Sequence, residues 1–318
     1  MGRKRSLFSR AHTRIKPSAV FATLLLLLFA GCGESQEPAR KISLNKTATV
    51  AQVPAVDDTK AIRIAIAAII SPKETYISYK GILDYIHTKL QTPVQLVQRD
   101  TYAEVNNLIR DGEIDAAFVC TGAYTEGHRD FGMELLVAPV AYGETVYYSY
   151  IIVPRDSDVH DLTELRGKSF AFTDPMSNTG KLSPTYILSR MGETPETFFK
   201  SFHFTYSHDK SIQAVSSGIV DAASVDSLVW DYLNAKDPTH TAKTRIINRS
   251  EPYGIPPVVV PGTIDPELKK KLRDIFLTMH ENKEGRRLLS EVMIDRFVEV
   301  DDSLYDSVRE MEKRVNKP

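Results

Sequence analysis

Apolar residues along the chain occur both in continuous runs and at helical spacing, which is typical of an α/β protein. Residues 61–70 are almost entirely apolar, as expected for a strand that is buried on both faces of a sheet. Residues 76–90 have apolar side chains at helical spacing instead. From residue 265 onward the pattern is mostly helical. The predicted strands are 61–70, 94–97, 114–119, 133–146, 147–153, 169–172, 202–205 and 220–225, and the predicted helices are 76–90, 102–110, 161–166, 181–191, 210–217, 227–235 and 302–315.

A nine-residue pattern occurs twice and indicates two similar α/β units. Residues 111–119 (DGEIDAAFV) and 217–225 (SGIVDAASV) both have the pattern x-G-x-[I/V]-D-A-A-x-V after a short amphipathic helix. The glycine ends the helix, and the small alanines let a neighbouring element pack closely. Chance similarity between βα units is the alternative. We expect an α/β fold with two lobes, and a cleft between them is a natural site for a small ligand.

The N-terminal segment 1–31 has the pattern of a secretory signal, with six basic side chains, no acidic one and a short apolar run at 19–30. That run is shorter than the roughly 18 residues that a helix needs to cross a bilayer. Ala30 and Gly31 directly precede Cys32, an order that resembles a bacterial lipobox, in which the cysteine is acylated. A plain signal peptide with an incidental cysteine is the alternative. We expect Cys32 to anchor the protein to a lipid bilayer, with the polar residues 32–59 as a flexible tether.

The charge of the remaining chain argues against one class of partner. Without residues 1–31 the chain has 34 basic and 41 acidic side chains, a formal charge of −7. Nucleic-acid binding needs a basic surface, so we expect no nucleic-acid partner. Besides Cys32 there is one other cysteine, Cys120, so lipidation of Cys32 leaves no intrachain disulfide. Cys120 ends an apolar run, which favours a buried thiol over a catalytic one.

The motifs that identify many enzymes are missing from the sequence. It contains no GxxxxGK[ST] phosphate loop, no GxGxxG, no HExxH, no CxxC and no Gly-x-Ser-x-Gly. The eight histidines are scattered without the spacing of metal ligands. We therefore expect a protein that is not an enzyme and that uses neither a metal nor another cofactor.

The strongest local signal for ligand binding is the segment 174–181 (DPMSNTGK), between a predicted strand and a predicted helix. Ser177, Asn178 and Thr179 are short polar side chains, and Gly180 permits a ligand to approach closely. The start of a helix has unpaired N–H groups and the positive end of the helix dipole, so the segment is suited to an anion. The alternative is that these side chains only cap the helix.

Further polar or aromatic residues follow the ends of other predicted strands, where ligands bind in open α/β sheets. His208 lies near a helix start and can donate to an oxyanion, although an isolated surface histidine is the alternative. Asp226 can accept from a protonated oxygen or an amine of a ligand, or it can simply cap a helix. The remaining candidates are Thr121, Tyr124, Tyr76 and Tyr79.

The segment 174–184 (DPMSNTGKLSP) resembles the pattern D-P-x-S-T-S-G-x-L-x-P of the phosphate, phosphite and phosphonate substrate-binding proteins of ABC transporters. The resemblance extends over about residues 62–277. The other segments that match the family are Phe198-Phe199, Ser207-His208-Asp209 and residues 218–222 (GIVDA). It implies a two-lobed type II periplasmic-binding fold with the ligand cleft between the lobes.

The resemblance also implies roles for single residues. In the family, the polar residues before the helix and the histidine hold the phosphonyl oxygens, and these match Ser177, Asn178, Thr179 and His208. Asn178 and Thr179 replace the family's Thr and Ser, which preserves anion binding but leaves the identity of the oxyanion open. In the other lobe, Tyr124 matches a turn that contains a tyrosine. One of the pair Tyr76 and Tyr79 should line the cleft.

We expect lobe one to comprise residues 60–143 and 254–318, and lobe two residues 144–253, with the chain crossing near Tyr142 and Tyr253. The resemblance implies a monomer on the periplasmic face of the cell envelope that delivers an oxyanion to an ABC permease. Docking on a membrane sensor kinase or a chemoreceptor is the alternative, and an enzyme on the same fold is a further one. A protonated His208 would donate from both ring nitrogens, so we also expect binding to strengthen as pH falls through the histidine range.

Overall fold

The structure is a computed structural model that describes residues 61–315 of the chain. These residues belong to one compact unit. The predicted signal at 1–31, the tether at 32–59 and the lipidation site Cys32 lie outside the described residues. Within 61–315, no helix combines the length and the apolar character needed to cross a membrane.

The first section of the chain alternates strands and helices. Its elements are strands β1 (Ile62–Ile66), β2 (Val94–Gln98), β3 (Ala116–Phe118) and β4 (Glu134–Val140), and helices α1 (Pro72–Leu90), α2 (Tyr102–Arg110) and α3 (Thr121–Phe131). The apolar run at the start becomes β1, which is buried along nearly its whole length. Proline suits the first position of α1. Thr101 and Glu104 form a capping box that begins α2.

The middle section repeats this alternation. Its strands are β5 (Val146–Tyr147), β6 (Ser149–Pro154), β7 (Ser169–Phe172), β8 (Ser201–Phe204), β9 (Ala222–Asp226) and β10 (Thr244–Arg249). Its helices are α4 (Ser183–Arg190), α5 (Pro195–Phe198), α6 (His208–Ser216) and α7 (Ser227–Lys236). Short 3₁₀ turns occur at Leu162–Leu165 and Thr241–Lys243, and a π-helical turn at Asn178–Leu182 directly precedes α4.

The last section is mostly helical, as predicted, but it also contains short strands that the sequence pattern did not indicate. Its elements are strands β11 (Tyr253–Gly254), β12 (Val258–Val260) and β13 (Arg296–Val298), helices α8 (Pro266–Thr278), α9 (Lys283–Glu291) and α10 (Asp306–Val315), and 3₁₀ turns at Met279–Glu281 and Asp302–Tyr305. Strands of two or three residues are too short to show an alternating pattern.

The strands form two mixed sheets. The first has the order β13-β4-β12-β3-β1-β2, and the second has the order β10-β6-β9-β7-β8. In the first, β1 is parallel to β2 and β3, whereas β12 is antiparallel to β3 and β4. In the second, β7 is parallel to β8 and β9, and β6 is antiparallel to β9 and β10. We call the six-stranded sheet with its helices lobe one, and the five-stranded sheet with its helices lobe two.

The chain passes twice between the sheets, and the short strands β5 and β11 pair there, with Tyr253 opposite Tyr147. The first passage begins at Tyr142 and Gly143, whose φ angles are 52° and 82°. This left-handed backbone ends β4 at Val140, so the strand expected at 133–146 is shorter than predicted. The residue limits given for the two lobes in the sequence analysis remain a prediction.

The repeated nine-residue pattern has the same structure in both lobes. Its glycines, Gly112 and Gly218, have φ angles of 69° and 67°, the left-handed conformation that ends a helix. In lobe one, the carboxylate of Asp115 accepts a hydrogen bond from the N–H of Arg63 at 2.8 Å. In lobe two, Asp221 accepts from the N–H of Ser169 at 2.8 Å. Each aspartate thus fixes the start of the strand beside its own.

Helix α3 is the main element that the sequence pattern did not predict. Its N-cap residue, Cys120, makes no side-chain capping bond, and Gly122 and Gly127 lower its intrinsic helix propensity. Tertiary packing stabilises it instead, because the side-chain amide of Asn106 on α2 donates to the carbonyl oxygen of Ala123 at 2.8 Å. Thr121 and Tyr124 therefore lie in the first turn of a helix rather than in a loop.

Candidate functional site

The segment between β7 and α4 forms a tight turn in which three polar side chains are fully buried. The N–H of Gly180 donates to Ser177 Oγ at 3.0 Å. The N–H of Leu182 donates to the carbonyl oxygen of Ser177 at 2.9 Å, which is the long spacing of a π-helical turn. Ser177, Asn178 and Thr179 are each 0% exposed. Ser177 therefore caps the turn, which is one of the two interpretations left open by the sequence, whereas Asn178 and Thr179 do not cap it.

Two serines hold this turn on the sheet of lobe two. Ser149 Oγ on β6 and Ser224 Oγ on β9 donate to the carbonyl oxygen of Thr179 at 2.8 Å and 2.7 Å. Gly180 lies against Thr173, and a Cβ atom on Gly180 would come within 2.5 Å of Thr173 Oγ1. Glycine is therefore required here for packing of the turn, and its expected contact with a ligand stays a prediction.

His208 is the first residue of α6 and is fully buried. Its backbone N–H donates to the carbonyl oxygen of Ile69 in lobe one at 3.0 Å. Its ring Nδ1 accepts from the backbone N–H of Asp226 at 3.0 Å and lies 3.1 Å from Thr173 Oγ1. Because a backbone N–H can only donate, Nδ1 is the acceptor and Nε2 carries the proton.

Burial lowers the pKa of His208 to about 3, so its imidazole is neutral over the physiological range. The expectation that His208 gains a proton in the histidine range is therefore wrong. The neutral ring still donates from Nε2–H, which is the donor that an oxyanion needs.

Several buried polar atoms near the turn and His208 have no hydrogen-bond partner among the described residues. They are Tyr102 OH, Asn178 Oδ1, Thr179 Oγ1, Ser207 Oγ and His208 Nε2. An unpaired buried polar group costs about 1–3 kcal/mol, so native proteins seldom keep several together without a function. We call these five residues the cradle.

Tyr102 was not predicted as a site residue. It begins α2, and its backbone N–H donates to Asp174 Oδ2 in lobe two at 3.1 Å. Burial raises the pKa of its hydroxyl well above the ordinary value, and the nearby Cys120, Asp174 and Asp226 add to the effect. The hydroxyl therefore lies among the groups that surround the cradle. The rule that ligands bind after strand ends applies to Tyr102 as well, because it follows β2.

Tyr147, in the short strand β5, was also missed. Asn178 Nδ2 donates to its hydroxyl at 3.1 Å. This bond fixes the amide so that its other end faces the cradle. Rotation of the amide by 180° would exchange its oxygen and nitrogen, so Asn178 offers either an acceptor or a donor there.

Asp226 ends β9 and lies beside the cradle. Its Oδ1 accepts from the N–H of Leu228 at 2.7 Å, so it caps α7. Burial raises the pKa of its carboxyl group to about 7. Asp226 is therefore a helix cap, one of the two roles considered from the sequence, and its other role, as an acceptor for a ligand, stays a prediction. In its protonated form it could also donate to an oxyanion.

The two candidate tyrosines of α1 have different positions. Tyr79 lines a cavity of about 120 Å³ between the lobes, and its ring packs edge-on against Phe118 with 5.1 Å between centroids. Burial, together with the carboxylate of Asp226, raises the pKa of Tyr79 to about 12. Tyr76 is 48% exposed and does not line that cavity. Of this pair, Tyr79 faces the cleft.

The hydroxyl groups of Tyr124 and Thr121 both donate to other groups of the protein. The hydroxyl of Tyr124 donates to Asp302 Oδ1 at 2.5 Å, and its ring packs on Tyr305 with 4.8 Å between centroids. The expectation that Tyr124 closes the site therefore does not fit its geometry. Thr121 Oγ1 donates to the carbonyl oxygen of Gly254 at 2.8 Å, which links α3 to the strand β11.

The lobes are in direct contact around the cradle. The N–H of Ser71 donates to Asp209 Oδ1 at 3.0 Å, in addition to the bonds from His208 to Ile69 and from Tyr102 to Asp174 described above. Gly122 on α3 lies against the backbone of the π-helical turn, and a Cβ atom on Gly122 would be 3.1 Å from the nitrogen of Asn178. The structure is thus a closed form in which residues of both lobes surround the cradle.

The donors of the cradle are neutral groups: three hydroxyls and one imidazole N–H. Oriented neutral dipoles in a buried site can bind an anion without a charged partner. Within residues 61–315, no group of three or more His, Cys, Asp or Glu side chains is arranged to hold a metal ion.

Residues 64–305 match the family of periplasmic substrate-binding proteins of ABC phosphonate transporters. The chain is 25% identical over 167 residues to a probable ABC transporter phosphite-binding protein of Prochlorococcus marinus, a match that covers 51% of this chain and 56% of that protein. It is 27% identical over 282 residues to the phosphate-import protein PhnD of Mycolicibacterium smegmatis, with 84% and 82% covered.

The fold is similar to the crystal structure of a binding-protein component of an ABC phosphonate transporter from Pseudomonas aeruginosa. The TM-score is 0.76 at 24% identity, with 80% of this chain and 85% of that chain covered. The predicted fold class, an α/β protein with the two-lobed type II periplasmic-binding fold, is confirmed by this similarity.

Proposed function

The chain belongs to the periplasmic substrate-binding proteins of ABC phosphonate transporters, and on this basis we propose that its cradle binds the oxyanion group of a phosphonate, a phosphite or phosphate. The observation that carries the proposal is the set of buried, unpaired donors on Tyr102, Thr179, Ser207 and His208. Each of them would be costly without a ligand, and together they match a group that consists of acceptors.

The chemistry of a phosphonyl group suits this set of atoms. Its oxygens accept hydrogen bonds from the hydroxyls and from Nε2–H of His208, and hydrogen bonds to a charged group contribute about 1.5–3 kcal/mol each. A monoprotonated group also has one O–H donor. The carbonyl oxygen of the Asn178 amide or an ionised Asp226 would accept from it.

Ligand binding would favour the closed form, because the donors come from both lobes. Tyr102 belongs to lobe one, whereas Thr179, Ser207 and His208 belong to lobe two. A ligand that contacts both lobes only in the closed form shifts the equilibrium toward it. As a component of an ABC transporter, the protein has a permease as its partner, and we propose that the closed, liganded form is the one it recognises.

We also propose that the protein is held at the periplasmic face of a membrane by acylation of Cys32. This rests on the order of basic, apolar and small residues that ends at Cys32. We further propose that it acts as a monomer, with residues 32–59 as the tether.

The proposal is tested by titration calorimetry of the purified chain with phosphate, phosphite, methylphosphonate, 2-aminoethylphosphonate, sulfate and acetate. We expect saturable binding of at least one phosphorus oxyanion and none of acetate. A ligand at a hundredfold excess over its Kd should stabilise the protein by about 2.7 kcal/mol in a thermal-shift assay. Absence of binding by every phosphorus oxyanion would overturn the proposal.

A further inference from the structure

A cavity of about 120 Å³ lies between the lobes next to the cradle. A buried water occupies about 10–15 Å³ on this kind of measure, so the cavity has room for several non-hydrogen atoms. Lobe one contributes the segment after β1, with Ile69 and Ile70, and Tyr79 of α1. Lobe two contributes the start of α7, with Leu228 and Val229.

Three of the polar side chains in its walls are paired with other protein atoms. Thr75 Oγ1 donates to the carbonyl oxygen of Ile70 at 3.1 Å. Ser78 Oγ and the hydroxyl of Tyr232 lie 3.3 Å apart and bond to each other. Because these groups are satisfied and most of the lining consists of isoleucine, leucine, valine, alanine and proline, the walls present mainly carbon to an occupant.

Two residues of the cavity wall form hydrogen bonds with His208 of the cradle. Ile69 accepts the N–H of His208, and the N–H of Asp226 donates to the ring of the same histidine. Both Ile69 and Asp226 line the cavity. Burial is the main cause of the raised pKa values of Tyr79 in the cavity and Tyr102 in the cradle. The carboxylate of Asp226 contributes to both. A group attached to an oxyanion in the cradle therefore has this cavity beside it.

The cavity wall offers an ammonium group little negative charge, because burial raises the pKa of its carboxyl group to about 7. Asp226 is the one carboxylate among the described residues that line it. Its Oδ1 is engaged by the N–H of Leu228, and the carboxyl group is buried. A cationic substituent would lose its water of hydration and would gain only the carboxyl group of Asp226, one oxygen of which already accepts a hydrogen bond. A hydrocarbon would pack against Ile70, Leu228 and Val229.

We propose that the ligand of this protein is a monosubstituted phosphonate or phosphate ester with an apolar substituent, which fills the cavity between Ile70, Tyr79 and Leu228 while the cradle holds the oxyanion. This proposal rests on the function proposed above and names its substrate class. The cavity has room for a substituent of the size of a butyl or a phenyl group. Burial of each methylene strengthens binding by about fourfold.

The test measures the Kd of the purified chain for phosphate, methylphosphonate, butylphosphonate, phenylphosphonate, phenyl phosphate and 2-aminoethylphosphonate by titration calorimetry. We expect butylphosphonate or a phenyl compound to bind at least about tenfold more tightly than methylphosphonate. Comparison of phenylphosphonate with phenyl phosphate distinguishes a phosphonate ligand from a phosphate ester.

Two substitutions at one position provide the matched pair. Ser78→Phe fills the cavity and removes the bond to Tyr232, whereas Ser78→Ala removes the same bond without filling it. The ratio of butylphosphonate to methylphosphonate affinity should collapse toward one in S78F and persist in S78A. If S78F does not fold, L228A serves instead. The smaller side chain widens the cavity, so the binding preference should shift from butylphosphonate toward phenylphosphonate.

The outcomes separate this inference from the proposed function. If phosphate and methylphosphonate bind but the larger apolar ligands bind no more tightly, the inference is overturned and the oxyanion site stands. If 2-aminoethylphosphonate binds more tightly than butylphosphonate, the inference is also overturned. If none of the ligands binds, both the inference and the proposed function are overturned.

Discussion

The backbone N–H of Asp226 donates to Nδ1 of His208 at 3.0 Å. This contact joins the end of β9 to the start of α6 and fixes the tautomer of the imidazole. Because Nδ1 is occupied as an acceptor, the ring presents Nε2–H to the cradle without any need for a positive charge. The histidine is thus a neutral donor whose direction is set by the backbone.

We predict that His208 keeps this neutral tautomer between pH 5 and 8. Burial lowers its pKa to about 3, and protonation of Nδ1 would break its bond to Asp226. Nitrogen chemical shifts of the ring should show a protonated Nε2 and an unprotonated Nδ1 throughout this range. Exposed His203 on β8 is the internal control. A His208 signal that titrates near the ordinary histidine pKa would contradict the assignment.

Substitution of His208 should separate its bond to Asp226 from its contact with the ligand. His208→Asn places an oxygen where Nδ1 lies and so can keep the bond to Asp226, but it does not reach the cradle. Loss of one hydrogen bond to an anion should weaken binding by about tenfold to a hundredfold. His208→Gln reaches as far as Nε2 and should recover part of the affinity.

The control for this series is His203→Ala, an exposed change in the same lobe that should leave the Kd unchanged. Thermal unfolding without ligand shows whether each variant is folded. Undiminished ligand affinity in folded His208→Asn would show that Nε2–H does not contact the ligand.

The ionisation of Asp226 should make the unliganded protein less stable as pH rises. Burial raises its pKa from 3.8 to about 7, so the folded state prefers the neutral carboxyl group. Its stabilisation is complete below the pKa of the unfolded chain and is lost between about pH 4 and 7. The decline is at most about 1.4 kcal/mol per pH unit.

Asp226→Asn should remove this decline, because asparagine stays neutral and can still cap α7. Urea unfolding of the parent and the variant at pH 5, 6 and 7 measures the decline in the free energy of unfolding. Asp265→Asn changes an exposed helix cap whose carboxylate accepts from Leu268, and it should leave the pH profile of the parent unchanged. An equal pH profile in Asp226→Asn and the parent would refute the assigned role.

Gly122→Ala should oppose closure of the lobes. A methyl group there would collide with the carbonyl oxygen of Met176 and approach the nitrogen of Asn178 to 3.1 Å, and both are backbone atoms of the other lobe. We expect at least about tenfold weaker ligand binding and a larger radius of gyration in small-angle scattering. Gly127→Ala in the same helix meets only side-chain atoms of its own lobe, on Met133, Phe131 and Asn106, and serves as control. Equal affinities in both variants would exclude the closure effect.

Cys32→Ser should release the protein from the membrane fraction if Cys32 is acylated. The physical reason is that a serine hydroxyl at this position cannot form the thioether that carries the lipid. Cell fractionation and intact-mass analysis measure the change. Cys120→Ser is the matched control, because Cys120 is buried and should not affect partitioning. Membrane retention of the serine variant, with no lipid mass on the parent, would rule out the anchor.

The parts of the fold that were predicted correctly have strong local signals. In both copies of the repeated pattern the glycine ends a helix, as predicted, and Gly112 and Gly218 have the same left-handed backbone. These features depend on a few adjacent residues, so the sequence alone contains enough information to predict them.

The features that were missed depend on contacts distant in sequence. Helix α3 lacks a side-chain cap and is stabilised by packing on α2. Tyr124 follows a strand end, as a ligand residue would, but its hydroxyl bonds to Asp302, far along the chain. Tyr102 belongs to the cradle through its bond to Asp174. A sequence pattern shows none of these partners.

The π-helical turn makes the site sensitive to the length of the chain as well as to its side chains. Between Ser177 and α4 the backbone contains one residue more per turn than an α-helix. Deletion of Lys181 would let the segment relax to α-helical geometry. Each residue turns an α-helix by about 100°, so Asn178 and Thr179 would rotate away from the cleft while their identities stayed the same. An alignment that scores only residue identity would then count as intact a site that no longer exists.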